Sequence, residues 1–131
     1  SMQEKNQQIV NEFLSHSKEI NEDIMADIEK MLGVMPFIFN SLKERPEIFM
    51  LATLADYNIG RPKTLSPKTA ELIAIAAAAG AGAESCLKVH IKAALNEGVT
   101  RDEILDTIMI AAMMGKTKIL ASALRLLPDP E

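Results

Sequence analysis

Apolar side chains recur at intervals of three and four residues along almost the whole chain, the spacing that places them on one face of an α-helix. Near the N-terminus, one such stripe contains Ile9 and Phe13, and a second contains Ile20, Ile24 and Ile28. No segment shows the alternation of apolar and polar residues that is typical of a half-buried β-strand. The sequence therefore predicts an all-α protein, a single-domain helical bundle.

Glycine and proline residues predict where the helices of the first half begin and end. Gly33 is expected to end the second helix, because glycine readily adopts the left-handed conformation found after a helix. Pro36 and Pro46 are each expected to begin a further helix, since proline is tolerated in the first turn. The segment 58–65 is predicted to be a loop within the domain.

A helical hairpin is predicted for the centre of the chain. Ser66 can cap a helix whose first turn contains Pro67, and this helix is expected to reach a hinge at residues 80–82. The next helix is expected to stop at Gly98. Within the hairpin, residues 72–83 form a run of 12 mostly alanine residues without charge, which is too short for the roughly 20 that span a bilayer and predicts a buried helix.

The last third of the chain begins with a capping box, in which the side chains of Thr100 and Glu103 bond to each other's backbone N–H groups. The helix that follows is expected to be interrupted at Gly115. A final helix is predicted around residues 119–127, ending before Pro128.

Length and charge restrict the function. The 131 residues (14.3 kDa) predict one domain, residues 1–131. A net charge of -4 and a pI near 5.2, without a basic patch, argue against nucleic-acid and membrane partners. The single cysteine and the absence of an export-signal pattern predict a cytoplasmic protein.

The candidate chemistry lies in the hairpin. Cys86 precedes His90 by four residues, so both share one helix face. An imidazole there can take the thiol proton, and the helix start nearby favours the thiolate anion. Glu71 lies about as far before the hinge as His90 lies after it, and a carboxylate at that level can reach the imidazole. Glu71, His90 and Cys86 therefore form a candidate proton relay.

The segment from Glu71 to Ala76 (ELIAIA) and the segment from Cys86 to Ile104 (CLKVHIKAALNEGVTRDEI) resemble the carboxymuconolactone decarboxylase and alkylhydroperoxidase D-like family. The likeness covers residues 35–127, which leaves residues 1–34 as an N-terminal helical extension. It implies an all-helical domain that assembles into trimers or hexamers. In the redox branch of the family the pattern is Glu, then Cys-x-x-Cys-x-x-x-His. The resemblance thus implies that Cys86 is the peroxide-reacting cysteine, His90 the relay histidine and Glu71 the relay acid.

The sequence departs from that pattern at Ala83, which occupies the position of the partner cysteine. No disulfide can close within the motif. An oxidised Cys86 would need an outside thiol, either a small thiol, a thioredoxin-like protein or Cys86 of a neighbouring subunit. The leading hypothesis is therefore a thiol-dependent peroxidase or disulfide-exchange oxidoreductase with an external thiol reductant.

Two other functions stay open. One is the cofactor-free decarboxylase branch, in which histidine acts as acid and base on a lactone acid, with Arg61, Lys63, Lys88 or Lys92 holding substrate carboxylates. The other is a non-catalytic assembly protein of the same fold. Each of the three residues, taken singly, also has a non-catalytic interpretation. Cys86 can be a buried core residue, His90 can be hydrogen-bonded to a neighbour, and Glu71 can be a solvated charge near the start of a helix. With one cysteine and two histidines, of which His16 lies in a distant polar stretch, the sequence predicts neither a metal site nor a cofactor.

The C-terminal helices carry the candidate subunit contacts. Thin helices with alanine faces and only five aromatic residues need close neighbours to exclude water. Residues 119–127 are the candidates for contacts in a homo-oligomer, and Met109, Met113 and Met114 are assigned to an interface in preference to a substrate pocket.

Overall fold

The computed structural model describes residues 1–32, 35 and 37–131, and it confirms the all-α prediction, since those residues contain no β-strand. None of the helices within these ranges is long and apolar enough to cross a membrane. The described helices are α1 (Glu4–Ser15), α2 (Ser17–Leu32), α3 (Phe37–Leu42), α4 (Pro46–Gly60), α5 (Pro67–Ala81), α6 (Glu84–Asn96) and α7 (Arg101–Leu124).

The chain forms two compact units, Ser1–Ile59 and Gly60–Glu131. The core of the first unit consists of side chains from α2 and α4, namely Ile24, Ile28, Phe49 and Met50. The amide of Asn21 in α2 donates to the carbonyl of Pro46 over 2.8 Å and so fixes the start of α4. The single-domain prediction for residues 1–131 stays a prediction.

The helix ends of the first unit differ in part from the sequence expectations. The predicted stop at Gly33 and the predicted start at Pro36 lie outside the described residues. The predicted start at Pro46 is confirmed. The predicted loop at 58–65 begins too early, because α4 continues to Gly60. The helix ends just before Arg61, which precedes a proline and is therefore disfavoured in the α conformation.

In the second unit, α5 and α6 form the predicted hairpin and pack closely against each other. The Ser66 hydroxyl accepts the Thr69 N–H at 3.1 Å, which confirms the predicted cap of α5. Gly82 at φ 68° ends α5, and Gly98 at φ 86° follows α6, so both turns use the left-handed backbone that glycine tolerates. The core beneath the hairpin consists of Ile75, Ala94, Val99 and Ile104.

The prediction that residues 72–83 are buried is correct for only one face of α5. Ile75 and Ala78 are buried, whereas the side of the helix that carries Ile73 faces solvent. A run of alanine and isoleucine is apolar on all sides, so its periodicity does not distinguish the buried face from the exposed one.

Helix α7 confirms one expectation and corrects another. The capping box of Thr100 and Glu103 is present, and the backbone N–H of Thr100 holds the pKa of the Glu103 carboxyl below its usual value. The predicted interruption at Gly115 is wrong, because α7 is one continuous helix of 24 residues. A glycine costs about 1 kcal/mol relative to alanine within a helix, which the methionine, lysine and leucine residues around it can offset.

His16 links α1 and α2 through two carboxylates on neighbouring turns. Its Nδ1 lies against Glu19, and its Nε2 lies 3.2 Å from Glu12. The hydrogen bond to Glu19, followed by that to Glu12, raises the pKa of His16 above 6.5. A raised value in the folded protein stabilises it below the unfolded pKa, and this stabilisation is lost as pH rises through the folded pKa.

We therefore expect the NMR titration of His16 to have a midpoint above about 6.5 in low salt. The Glu19→Gln variant should lower this midpoint, and Glu22→Gln, which removes an exposed charge that makes no ion pair with His16, should change it much less. High salt should reduce the shift, because the pair is exposed. A midpoint unaffected by Glu19→Gln would contradict the assignment.

Candidate functional site

The Glu71 carboxylate lies in the second turn of α5 and is buried, with 5% of the residue exposed. A solvated helix-start charge, the alternative explanation for this residue, is therefore excluded. A buried carboxylate is costly unless donors satisfy both of its oxygens. Glu71 has such a donor on each oxygen, and the two donors come from different parts of the second unit.

The first donor is His90 in the second turn of α6, whose Nδ1 lies 2.9 Å from Oε2 of Glu71. The hairpin count thus placed the two residues correctly at one level. An ionised carboxylate only accepts hydrogen bonds, so Nδ1 is the donor of this bond, and in a neutral ring Nε2 is then the nitrogen with the lone pair. Nε2 has no hydrogen-bond partner among the described residues, and the His90 side chain is 37% exposed. The arrangement leaves Nε2 available as a base.

The second donor is Arg61, which sequence reasoning did not place in this cluster. Its Nη1 donates to Oε1 of Glu71 over 2.7 Å, and its Nη2 lies 3.3 Å from Oε1 of Glu97. Two protein carboxylates therefore already engage the guanidinium group that the sequence nominated to hold a substrate carboxylate. A buried carboxylate needs a fixed positive charge beside it, so knowledge that Glu71 is buried would have pointed to a nearby arginine. The sequence alone does not show that Glu71 is buried.

The Cys86 thiol is exposed at the third residue of α6. It shares a helix face with His90, as the four-residue spacing requires, but it makes no hydrogen bond to His90 or to any other described residue. The imidazole is held toward α5 by Glu71, and the short cysteine side chain does not bridge the separation of about 5–6 Å between Cβ atoms one turn apart. The structure thus brings Glu71 and His90 together and leaves Cys86 one turn away.

The start of α6 carries no side-chain cap, because its N-cap residue is Ala83. The backbone N–H groups of Ser85 and Cys86 have no hydrogen-bond partner within the described ranges. Unpaired N–H groups and the helix dipole favour a negative charge at this position. Cys86 therefore lies in the uncapped first turn of α6.

The second unit is thus an all-helical hairpin domain in which a buried carboxylate holds an imidazole one turn from an exposed thiol. The sequence model of the Carboxymuconolactone decarboxylase family matches residues 46–129, more than half of the chain. The chain belongs to this family, as the sequence resemblance predicted. Comparisons with curated proteins and with solved structures returned no match.

Proposed function

We propose that the chain is a thiol-dependent peroxidase or disulfide-exchange oxidoreductase in which Cys86 is the reacting group. The main support is the 2.9 Å hydrogen bond from His90 to the buried Glu71, which leaves Nε2 of His90 free on the helix face that also carries the exposed thiol. A family that includes alkylhydroperoxidases is consistent with this chemistry.

The first step is ionisation of the thiol. Nε2 of His90 takes the proton of Cys86 through one bridging water or through the bound oxidant, since the two side chains are not in direct hydrogen-bond contact. The thiolate is stabilised by the unpaired N–H groups at the start of α6. Glu71 keeps the imidazole in the orientation that this transfer requires.

The second step is attack on a hydroperoxide. The thiolate sulfur bonds to the terminal oxygen, the O–O bond breaks, and the leaving alkoxide takes the proton held on His90 to become an alcohol. Cys86 is thereby oxidised to a sulfenic acid, and the hydroperoxide is reduced.

Recovery of the thiol needs two equivalents of an external thiol, because Cys86 is the only cysteine of the chain. The first thiol condenses with the sulfenic acid and releases water, which gives a mixed disulfide. The second thiol attacks this disulfide, releases the Cys86 thiolate and leaves as the oxidised disulfide. A small thiol or a thioredoxin-like protein suits an exposed sulfur of this kind.

The working form is proposed to be a homo-oligomer, a trimer or hexamer as in related domains, with α7 at the interface. Large apolar side chains in the second half of this helix are between 48% and 68% exposed. Monomeric proteins rarely expose so continuous an apolar surface. Cys86 of a neighbouring subunit is a further candidate for the resolving thiol.

The decarboxylase reaction on a lactone acid is the second candidate, because the Glu71–His90 pair is itself an acid–base device that does not contact Cys86. With Arg61 engaged by Glu71 and Glu97, the basic residues left near the site to hold a substrate carboxylate are Lys88 and Lys92 on α6 and Lys63 in the preceding loop. A non-catalytic assembly protein is the outcome if neither reaction is found.

Trapping the oxidised sulfur tests the proposal directly. The reduced protein is mixed with one equivalent of cumene hydroperoxide and then with dimedone, which reacts with sulfenic acids, and the peptide that contains Cys86 is examined by mass spectrometry. We expect a dimedone adduct on Cys86 and loss of one hydroperoxide per chain when no reductant is added. A thiol that stays unmodified, while iodoacetamide still alkylates it, would exclude peroxidase chemistry. Carbon dioxide release from a lactone acid by the Cys86→Ser variant would favour the second candidate.

A further inference from the structure

Arg61 lies within a chain of charged groups that leads from Glu97 to His90. In order, Glu97 at the end of α6 contacts Arg61 in the loop before α5, Arg61 contacts Glu71, and Glu71 contacts His90. The Arg61 guanidinium also donates to the carbonyl of Gly60 over 2.7 Å. Three acceptors therefore fix the plane of this group, which is itself 41% exposed at its side chain.

The two oxygens of Glu71 have different partners. Oε1 accepts from Arg61 over 2.7 Å, and Oε2 accepts from His90 over 2.9 Å. Because the Arg61 bond fixes Oε1, it also fixes the direction in which Oε2 points, and that direction selects the protonated nitrogen of His90. Arginine does not lose its proton in proteins, so it supplies a permanent positive charge beside the buried carboxylate.

That positive charge has a second consequence for the relay. His90 in its neutral form gives Glu71 a hydrogen bond but no charge, so Arg61 is the group that compensates the buried negative charge. Without Arg61, the buried carboxylate would lose the donor on Oε1 and would be free to turn toward water. Oε2 would then no longer be a fixed acceptor for Nδ1 of His90.

We propose that Arg61 is a positioning residue of the site, which holds Glu71 so that His90 carries its proton on Nδ1 and presents Nε2 as the base. Glu97 in turn holds Arg61. This assignment rests on the proposed function for its role in the reaction. It concerns the His90 ring itself, however, and the ring can be observed in the absence of any turnover.

The test reads the tautomer of His90 by ¹⁵N NMR at a pH where the ring is neutral, in the folded full-length chain. His16, the only other histidine, is assigned with the His16→Gln variant. In the native protein we expect one protonated and one unprotonated ring nitrogen at well-separated shifts. In Arg61→Ala the two resonances should converge toward exchange-averaged positions, as they should in Glu71→Gln, the reference for a lost carboxylate.

Two further variants make the test specific. Lys63→Ala removes a positive charge from the same loop without removing an ion pair to any described residue, and it should leave the His90 shifts unchanged. Arg61→Lys keeps the charge but not the forked geometry, so its shifts should lie between those of the native protein and Arg61→Ala. If Arg61→Ala does not fold, Arg61→Gln, which keeps a neutral donor, is expected to show the same convergence.

The outcomes separate this assignment from the proposed function. His90 resonances that are unchanged in the Arg61 variants overturn the role of Arg61, whatever the hydroperoxide turnover. If the His90 resonances converge in Arg61→Ala but the native chain shows no hydroperoxide turnover, the role of Arg61 is supported and only the peroxidase function is contradicted.

Discussion

Replacing Cys86 with serine is expected to reduce hydroperoxide consumption, measured with dithiothreitol or a thioredoxin system as reductant, to the uncatalysed rate. The serine hydroxyl cannot be oxidised to the equivalent of a sulfenic acid, and no second cysteine is present to replace the lost thiol. The substitution exchanges one exposed atom and touches neither Glu71 nor His90. Loss of turnover would therefore report the chemistry and not the fold.

A relocated thiol provides a matched control for this variant. The double variant Cys86→Ser/Ser85→Cys moves the sulfur by one residue within the first turn of α6, where it keeps the helix start but leaves the face that carries His90. If His90 acts as the base, turnover should stay at least about 100-fold below that of the native chain, the usual contribution of general acid–base catalysis. Full turnover in Cys86→Ser would exclude the peroxidase function. Full turnover in the double variant would exclude the relay but retain a reactive thiol.

The second large effect is expected at the exposed face of α7, where acidic substitutions should separate the proposed oligomer into single chains. At about 100° of rotation per residue, Ile110, Met113, Leu120 and Leu124 lie on the side of the helix opposite the packed face that carries Ile104 and Ile108. These side chains are exposed in the single chain. Burial of each one in an interface would contribute roughly 1.5–3 kcal/mol.

The test is the double variant Met113→Glu/Leu120→Glu, with the mass in solution measured by light scattering after gel filtration. We expect a multiple of 14.3 kDa for the native chain and 14.3 kDa for the variant, because the proposed α7 contact would bury the new charges. Ile9→Glu, which introduces the same charge at an exposed isoleucine of α1, should leave the native mass unchanged. A native chain that is monomeric at tens of micromolar, or a double variant that still assembles, would contradict the proposed interface.

The hairpin was predictable because its boundaries are set by local chemistry. The Ser66 hydroxyl accepts an N–H group three residues along at the start of α5, and Gly82 and Gly98 adopt the left-handed backbone that follows each of the two helices. Once both helices of the hairpin have fixed ends, a constant rise per residue brings Glu71 level with His90. Counting therefore predicts that the two residues lie at one level, whereas the 2.9 Å hydrogen bond between their side chains is known only from the structure.

The remaining features depend on contacts that the sequence does not encode locally. Arg61 reaches Glu71 because of the conformation of the loop between α4 and α5. The pattern of apolar and polar residues does not predict the conformation of that loop. Helix α7 continues through Gly115 because the helix propensities of the surrounding residues offset the cost of the glycine. Gly115 taken alone therefore predicts a break that does not occur. The missing hydrogen bond between Cys86 and His90 arises because Glu71 orients the imidazole, whereas spacing along a helix specifies only the shared face.

At the uncapped start of α6, a side chain that stabilised the helix would compete with the proposed reaction at Cys86. A serine or aspartate in place of Ala83 would be a better helix cap, by about 1 kcal/mol, because its oxygen would bind the free backbone N–H groups. In the proposed mechanism these same N–H groups support the negative charge of an ionised sulfur at Cys86. The alanine therefore makes the helix weaker at its end and leaves the backbone N–H groups of Ser85 and Cys86 without a capping side chain.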